Sequence, residues 1–111
     1  MYINLFAQTT KIDEAKLILK EIIDALNKEV LKYTFIKIEP YWKIKELTHV
    51  QAEFSLTSKL SIEERKHFLF SVSDKWTYCG NPILDDEVVA SIATEGCNYI
   101  KSGIEMINII F

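Results

Sequence analysis

Apolar residues recur every three or four positions between Ile12 and Val30, and mostly polar side chains fill the positions between them. At the helical rotation of about 100° per residue, this spacing places the apolar side chains on one stripe. A helix with such a stripe is not stable alone in water and must pack on an apolar surface. Thr10 is its predicted N-cap, with Asp13 in the first turn and Lys28 near the last. The stripe consists of Ile12, Ala15, Leu19, Ile22, Ile23, Leu26 and Val30.

A second helix is predicted to begin at Ser61 and to end near Lys75. Ser61 and Glu64 match the S-x-x-E capping box, in which each side chain accepts a hydrogen bond from the other residue's backbone N–H. This signal fixes the start of the helix more firmly than apolar spacing alone. The apolar stripe of this helix consists of Ile62, Phe68, Leu69, Val72 and Trp76.

The rest of the chain has the two-residue alternation and the β-branched and aromatic content of strands. Pro40 interrupts the second strand segment and lacks the N–H that a sheet needs, so an edge or a bulge is expected there. Val50, Ala52 and Phe54 alternate with polar residues, which indicates a sheet with one wet side. The predicted strand segments are Tyr2–Gln8, Leu31–Leu47, Val50–Thr57, Asp86–Thr94 and Ile104–Phe111.

The predicted element order is β-α-β-β-α-β-β. Two amphipathic helices on one face of an antiparallel sheet satisfy both apolar stripes. The fold class is therefore predicted as α+β, and the order resembles the ferredoxin-like split βαβ arrangement with an added C-terminal strand. The length of 111 residues fits a single domain spanning residues 1–111. The last segment is almost continuously apolar, which favours a position inside the sheet.

Simple alternation assigns a mixed set of aromatic and charged side chains to the sheet face without helices. Exposed aromatic residues among charges are typical of binding surfaces. Coverage by turn segments or by a second copy of the protein is an alternative. An RNA-recognition module is another, but the basic RNP1-type run is missing and the net charge is −3. The assigned set is Tyr2, Phe6, Tyr33, Phe35, Lys37, Glu39, Gln51 and Glu53.

Two further clusters are candidates for partner binding. Tyr41 and Trp42 follow Pro40, and aromatic residues of these types dominate interface hot spots, although they could equally cap the core at the strand end. Asp85, Asp86 and Glu87 form the densest acidic cluster. This cluster is compatible with a solvated turn, with a divalent-cation ligand set or with a patch for a basic partner.

No catalytic or cofactor motif is present in the sequence. His49 and His67 lack metal-ligand spacing, and Cys79 and Cys97 form no C-x-x-C pair, so both cysteines are expected to be reduced. A Cys–His nucleophile pair would need a spatial contact that sequence spacing does not reveal. The N-terminal residues lack a signal-peptide pattern, and no apolar run approaches the roughly 20 residues of a membrane span. A cytoplasmic protein that is not an enzyme, needs no cofactor and binds neither membrane nor nucleic acid directly is therefore expected.

In size, charge and element order the chain resembles the small immunity proteins of bacterial contact-dependent and other polymorphic toxin systems. The resemblance implies a protein that binds a cognate toxin domain, most often a nuclease, and blocks its active site. Such a partner is basic, so the acidic side chains would mimic nucleic-acid phosphates while two aromatic residues act as anchors. The acidic residues are Glu39, Glu53, Asp85, Asp86 and Glu87, and the anchors are Tyr41 and Trp42.

Two alternatives stay open at this point. One is a small-ligand-binding or enzymatic ferredoxin-like dimer with its site at the sheet face, for example with His49 beside an acid. The other is a homodimer with a structural role, in which sheet faces or edges pair. A monomer would leave the exposed aromatic residues available for a foreign partner.

Overall fold

The computed structural model describes residues 1–26, 28–78, 87–91 and 96–111, with the backbone alone for residues 78, 87 and 89–91. These residues contain two helices and six strands. The helices are α1 (Ile12–Asp24) and α2 (Ile62–Val72). The strands are β1 (Tyr2–Ala7), β2 (Val30–Pro40), β3 (Thr48–Leu56), β4 (Thr77–Tyr78), β5 (Glu87–Ser91) and β6 (Ile104–Ile110).

The strands form one sheet in the order β2-β3-β1-β6-β5-β4, and every neighbouring pair is antiparallel. The predicted α+β class, the antiparallel sheet and the two helices are therefore confirmed. The described residues form one strand more than predicted because Thr77–Tyr78 pairs with β5. A strand of two residues is too short to produce a recognisable alternation in the sequence.

Both helices pack on the same side of the sheet, where they share one hydrophobic core with the strands. Directly paired residues of antiparallel strands project to the same side, so the pairing of β3, β1 and β6 gathers their apolar side chains beneath the helices. The predicted inward positions Val50, Ala52 and Phe54 are confirmed as buried. The other central core residues are Ile3, Leu5, Ile107 and Ile109 from the sheet, Ala15, Leu19 and Ile22 from α1, and Phe68, Leu69 and Val72 from α2.

β6 and β2 occupy the positions in the sheet that their sequences favour. β6 lies between β1 and β5, which confirms that its continuous apolar run belongs inside the sheet. β2 lies at the edge of the described sheet and ends at Pro40, which confirms the expected edge. An edge strand tolerates proline because its outward N–H groups need no strand partner.

Helix α1 is shorter than its apolar stripe predicts, because it ends at Asp24 and not near Val30. The chain turns at Ala25, where the Ala25 N–H donates to the Ile22 carbonyl and the Leu26 N–H donates to the Ile23 carbonyl, and it then enters β2 at Val30. The predicted N-cap Thr10 is also wrong. Lys11 occupies the N-cap position without a side-chain cap, and the Thr9 hydroxyl accepts the Lys11 N–H instead.

Helix α2 begins with the predicted capping box. The Ser61 hydroxyl accepts the Glu64 N–H, and the Glu64 carboxylate accepts the Ser61 N–H. The helix ends at Val72 and not near Lys75, although the indole of Trp76 still packs beneath it and donates to the Leu69 carbonyl at 2.8 Å. Among the helices of the described residues, none has the length and apolar character required to cross a membrane.

Strand β2 contains two extra residues relative to its neighbour β3, Leu31 near its start and Ile36 in its middle. Phe35 pairs with Ala52 and Lys37 pairs with Gln51, although Ala52 and Gln51 are adjacent in β3. Two residues of β2 therefore span one step of β3, which is the definition of a β-bulge. The extra residue at Ile36 shifts the alternation by one position. Odd-numbered residues of β2 therefore face one side of the sheet just before Ile36 and the other side after it.

The bulge corrects the predicted composition of the helix-free face. Tyr33 stacks on Phe54 with 4.8 Å between ring centroids, and the Lys16 ammonium of α1 lies 5.3 Å from the Phe35 centroid. Both β2 rings therefore lie on the helix side, and their predicted place on the opposite face is wrong. The error arises because simple alternation along β2 cannot include the extra residue at Ile36.

Candidate protein-binding surface

The sheet side opposite the two helices is called the open face here. Its side chains form rows across the strands, because paired residues project to the same side. Lys37 and Glu39 of β2 extend two of these rows, since they pair with Gln51 and His49 after the bulge. Across β3, β1 and β6 the rows are Glu53–Tyr2–Ile110, Gln51–Asn4–Asn108 and His49–Phe6–Met106.

Four rings meet at one end of the open face: Phe6, Tyr41, Trp42 and His49, called the aromatic cluster here. The His49 imidazole stacks on the Phe6 ring, with 4.5 Å between centroids and 6° between planes. The Tyr41 ring meets Phe6 edge-on at 4.7 Å, and Trp42 lies 6.2 Å from Tyr41. Phe6 is buried, whereas Trp42 is 79% exposed. The cluster therefore presents one large exposed ring on a packed aromatic base.

The segment that presents Trp42 is fixed to the sheet by backbone hydrogen bonds. The Tyr41 N–H donates to the Leu47 carbonyl at 2.9 Å, and the Leu47 N–H donates to the Ile44 carbonyl at 3.1 Å. Leu47 itself is buried, so it anchors the end of this segment in the protein. The backbone of this segment consequently has a defined path before any partner arrives, which reduces the entropy lost on binding.

His49 is a neutral member of the cluster near pH 7. Its Nε2 contacts the Oδ1 atom of Asn4 on the neighbouring strand. Burial lowers the pKa of His49 below its ordinary value, and the charge of Lys37 lowers it further, while Glu39 opposes the shift. A neutral imidazole avoids the desolvation cost of a charge, so it can serve as a flat ring stacked on Phe6.

Two lysines of the chain contact Glu39 and Trp42 at this end of the open face. The Lys37 Nζ atom lies 3.1 Å from the Glu39 carboxylate. The Lys43 Nζ atom lies 5.0 Å from the Trp42 ring centroid, within cation–π distance. Glu39, Lys43 and Trp42 are all exposed, and ion pairs between exposed side chains contribute about 0–1 kcal/mol. A cation from a partner can therefore replace either lysine at little cost.

The structure brings three of the predicted partner-binding residues together and separates a fourth. Glu39, Tyr41 and Trp42 lie at the aromatic cluster, through β2 and the segment that follows it. Glu53 lies on the same face but in the row of Tyr2, two rows away from His49. It therefore shares the surface without contacting the cluster.

The predicted acidic cluster is described only in part. Asp85 and Asp86 lie outside the described residues. Glu87 is the first residue of β5, where its Cα pairs with Ile110 of β6. Its backbone therefore occupies the end of the row that contains Tyr2 and Glu53.

The contribution of His49 to this surface was not predicted from the sequence, because the predicted strand began at Val50 and left His49 outside it. His49 instead lies in β3, which begins at Thr48. The signal was available in the alternation, since His49, Gln51 and Glu53 occupy consecutive outward positions of one strand. Its stacking on Phe6 depends on the pairing of β3 with β1, which no local pattern specifies.

A cavity of about 530 Å³ lies where Phe54, Arg65 and Phe111 adjoin, and His49 is not among its lining residues. Among the described residues, no group of three or more His, Cys, Asp or Glu side chains is placed to hold a metal ion.

Comparison of the chain with protein-family models, with curated proteins and with solved structures found no match in any of the three. The geometry of the surface itself is therefore the basis for a proposed function.

Proposed function

We propose that this protein binds and inhibits another protein through the open face, as an immunity protein that neutralises a cognate toxin domain. The protein performs no catalysis in this proposal. The observation that supports it most is Trp42, whose ring is 79% exposed and lies 6.2 Å from the ring of Tyr41, which in turn meets the buried Phe6. Tryptophan and tyrosine are enriched at the hot spots of protein interfaces.

The charges of the open face favour a basic partner, such as a nuclease domain that binds nucleic acid. The chain has a net charge of −3, and Glu39 and Glu53 lie on the open face. An arginine of the partner could stack on Trp42 in place of Lys43 and form a two-pronged pair with Glu39 in place of Lys37. Arginine suits this exchange because its guanidinium is planar and weakly hydrated. The acids at positions 85–87 would add to the attraction of a basic surface.

The strand order supports a ferredoxin-like interpretation of the fold. The order β2-β3-β1-β6, with α1 connecting β1 to β2 and α2 preceding the later strands, matches the split βαβ arrangement. In this interpretation β4 and β5 are a pair inserted before the last strand, and they extend the sheet beyond β6. Such a scaffold hosts many functions, so it supports the position of the surface and not the activity.

The test uses the product of the neighbouring gene, with its C-terminal domain as the candidate toxin. Trp42→Ala should weaken binding by about thirtyfold or more, because hot-spot tryptophans contribute about 2 kcal/mol or more. Glu39→Lys should weaken binding and lower its dependence on salt. Phe70→Ala is the matched control, since Phe70 is an exposed aromatic residue of α2, on the helix side. Calorimetry measures affinity, and rescue of cells that express the toxin domain measures inhibition.

Removal of the two lysines that would compete with the partner gives a second prediction, in which binding becomes stronger. Lys37→Ala and Lys43→Ala should strengthen binding of a basic partner, because each removes a cation that competes with it. The proposal is wrong if Trp42→Ala and Phe70→Ala bind and protect equally well. A partner whose affinity falls when Lys37 or Lys43 is removed would indicate an acidic protein and would also contradict it.

A further inference from the structure

The edge of the sheet formed by β2 is a second surface with its own chemistry. β2 has 11 residues and, among the described strands, pairs only with β3. Its outward N–H and C=O groups thus face no described strand. Leu31, Tyr33 and Ile36 are exposed large apolar residues of this strand. A long edge with exposed apolar side chains is a template for an added strand.

A groove runs along the helix side of this edge. It is a cavity of about 210 Å³ between α1 and β2, and its lining residues are Lys16, Lys20, Ile23, Tyr33 and Phe35. The floor is aromatic and the rim is basic, because the two lysines come from α1 and the two rings from β2. Within the described residues, the ion pairs that form do not involve Lys16 or Lys20. The groove therefore offers two positive charges above an apolar floor.

We propose that the β2 edge and this groove bind an extended, acidic segment of a partner protein, which adds a strand to the sheet. The bound strand would pair with the outward backbone groups of β2. Its side chains on the helix side would cover Tyr33 and Phe35 and place carboxylates at Lys16 and Lys20. This contact is separate from the open face and does not depend on the function proposed above.

The spacing of the two lysines matches that of a strand. Residues four apart on a helix have Cβ atoms roughly 5–6 Å apart, and this is the relation of Lys16 to Lys20. Alternate residues of a strand lie about 6.8 Å apart and project to the same side. Two acidic residues separated by one position can therefore reach one lysine each. Lys32 is also exposed on β2, which adds to the positive character of the edge.

The same charges argue against a second copy of this chain as the occupant. A twofold axis through the middle of β2 would bring Lys16 and Lys20 of one copy towards the same lysines of the other. Lysines and bulges on an edge strand are common protections against self-pairing, and β2 has both. Charge complementarity therefore selects a foreign acidic strand.

The test titrates the isotope-labelled full chain with a capped peptide of alternating glutamate and valine, matched in length to β2. A peptide of alternating lysine and valine is the matched probe. With the acidic peptide, amide signals of β2 should shift and their hydrogen exchange should slow. Lys16→Glu/Lys20→Glu should weaken this binding by about tenfold or more, since each lost pair is replaced by repulsion. The same variant should gain affinity for the lysine peptide.

Lys66→Glu/Lys75→Glu is the control, because it makes the same change of charge at exposed sites in and after α2. It should leave binding of the acidic peptide within about twofold. Equal weakening by both double variants would show attraction by net charge alone and would overturn the proposal. Shifts confined to Phe6 and His49 would overturn it as well. Concentration-dependent association of the chain, with shifts in β2, would identify a second copy as the occupant and refute the acidic partner.

Discussion

Deletion of Ile36 is expected to leave both faces of the sheet unchanged, because this residue is the extra member of the bulge. After deletion, Phe35 still pairs with Ala52 and Lys37 with Gln51, so this part of the strand regains one-to-one pairing. Ile36 is 52% exposed, so its removal forfeits about half of the roughly 2 kcal/mol that full burial of an isoleucine contributes. Restored ladder hydrogen bonds offset about 1 kcal/mol of this loss. The net change in unfolding free energy should lie within about 1 kcal/mol.

The control is deletion of Gln51 from β3, where no extra residue exists. Gln51 lies between the buried residues Val50 and Ala52. Its loss shifts one half of the strand by one position and moves apolar side chains from the core to the open face. Exposing two or more core side chains costs more than about 3 kcal/mol, so this variant should be severely destabilised or unfolded.

Urea denaturation followed by circular dichroism gives the unfolding free energies of the two deletion variants and of the parent chain. The bulge assignment predicts a near-parental midpoint for the Ile36 deletion and a large loss for the Gln51 deletion. If the Ile36 deletion were as damaging as the Gln51 deletion, β2 would lack an extra residue at this position. Tyr33 and Phe35 would then lie on the open face, as simple alternation along β2 predicts.

Three further changes test the core, the helix start and the aromatic cluster. Leu19→Ala should lower the unfolding free energy by about 3 kcal/mol because Leu19 is fully buried, whereas exposed Leu17→Ala should change it by less than about 0.5 kcal/mol in the same urea assay. Ser61→Ala should cost about 1 kcal/mol and lower the melting temperature, since it removes one half of the capping box. Because burial lowers the pKa of His49, the unfolded chain binds that proton more tightly, so stability should be fully present above the ordinary value of 6.5 and should fall as the pH drops below it. His49→Gln should flatten this fall when urea midpoints are compared between about pH 7 and pH 5.

Each of these expectations has a contradicting result. Equal losses for the two leucine variants would place Leu19 outside the core. An unchanged melting temperature after the Ser61 substitution would show that the capping box contributes nothing to stability. A midpoint that rises on acidification, or a slope that survives His49→Gln, would mean that burial of His49 does not lower its proton affinity.

The parts of the fold that follow from local periodicity could be predicted from the sequence. The stripe of α1, the capping box at Ser61 and the alternation around Val50 each concern residues within a few positions of one another. The apolar periodicity nevertheless predicted a helix that extends beyond the end of α1 at Asp24. The reason is that Leu26 packs into the core from a turn and Val30 packs into it from a strand. Leu26 and Val30 thus contact the core without being helical, whereas Ile12 of the same stripe is helical but exposed.

The features that could not be predicted depend on contacts between distant segments. The bulge at Ile36 exists only relative to β3, so the sequence of β2 alone does not reveal it. The sequence singled out Tyr41, Trp42 and Glu39, but it did not bring Phe6 and His49 to them. That arrangement depends on the antiparallel register of β1 and β3, which is set by pairing across the sheet.

The most direct test of the central claim is a cross-saturation footprint of the labelled chain in complex with the candidate toxin domain from the product of the neighbouring gene. If the open face is the binding surface, signal loss should concentrate at β1, at β3 and at Tyr41 and Trp42. Loss concentrated on the exposed sides of α1 and α2, with the aromatic cluster unaffected, would show that the partner binds elsewhere and would contradict the account.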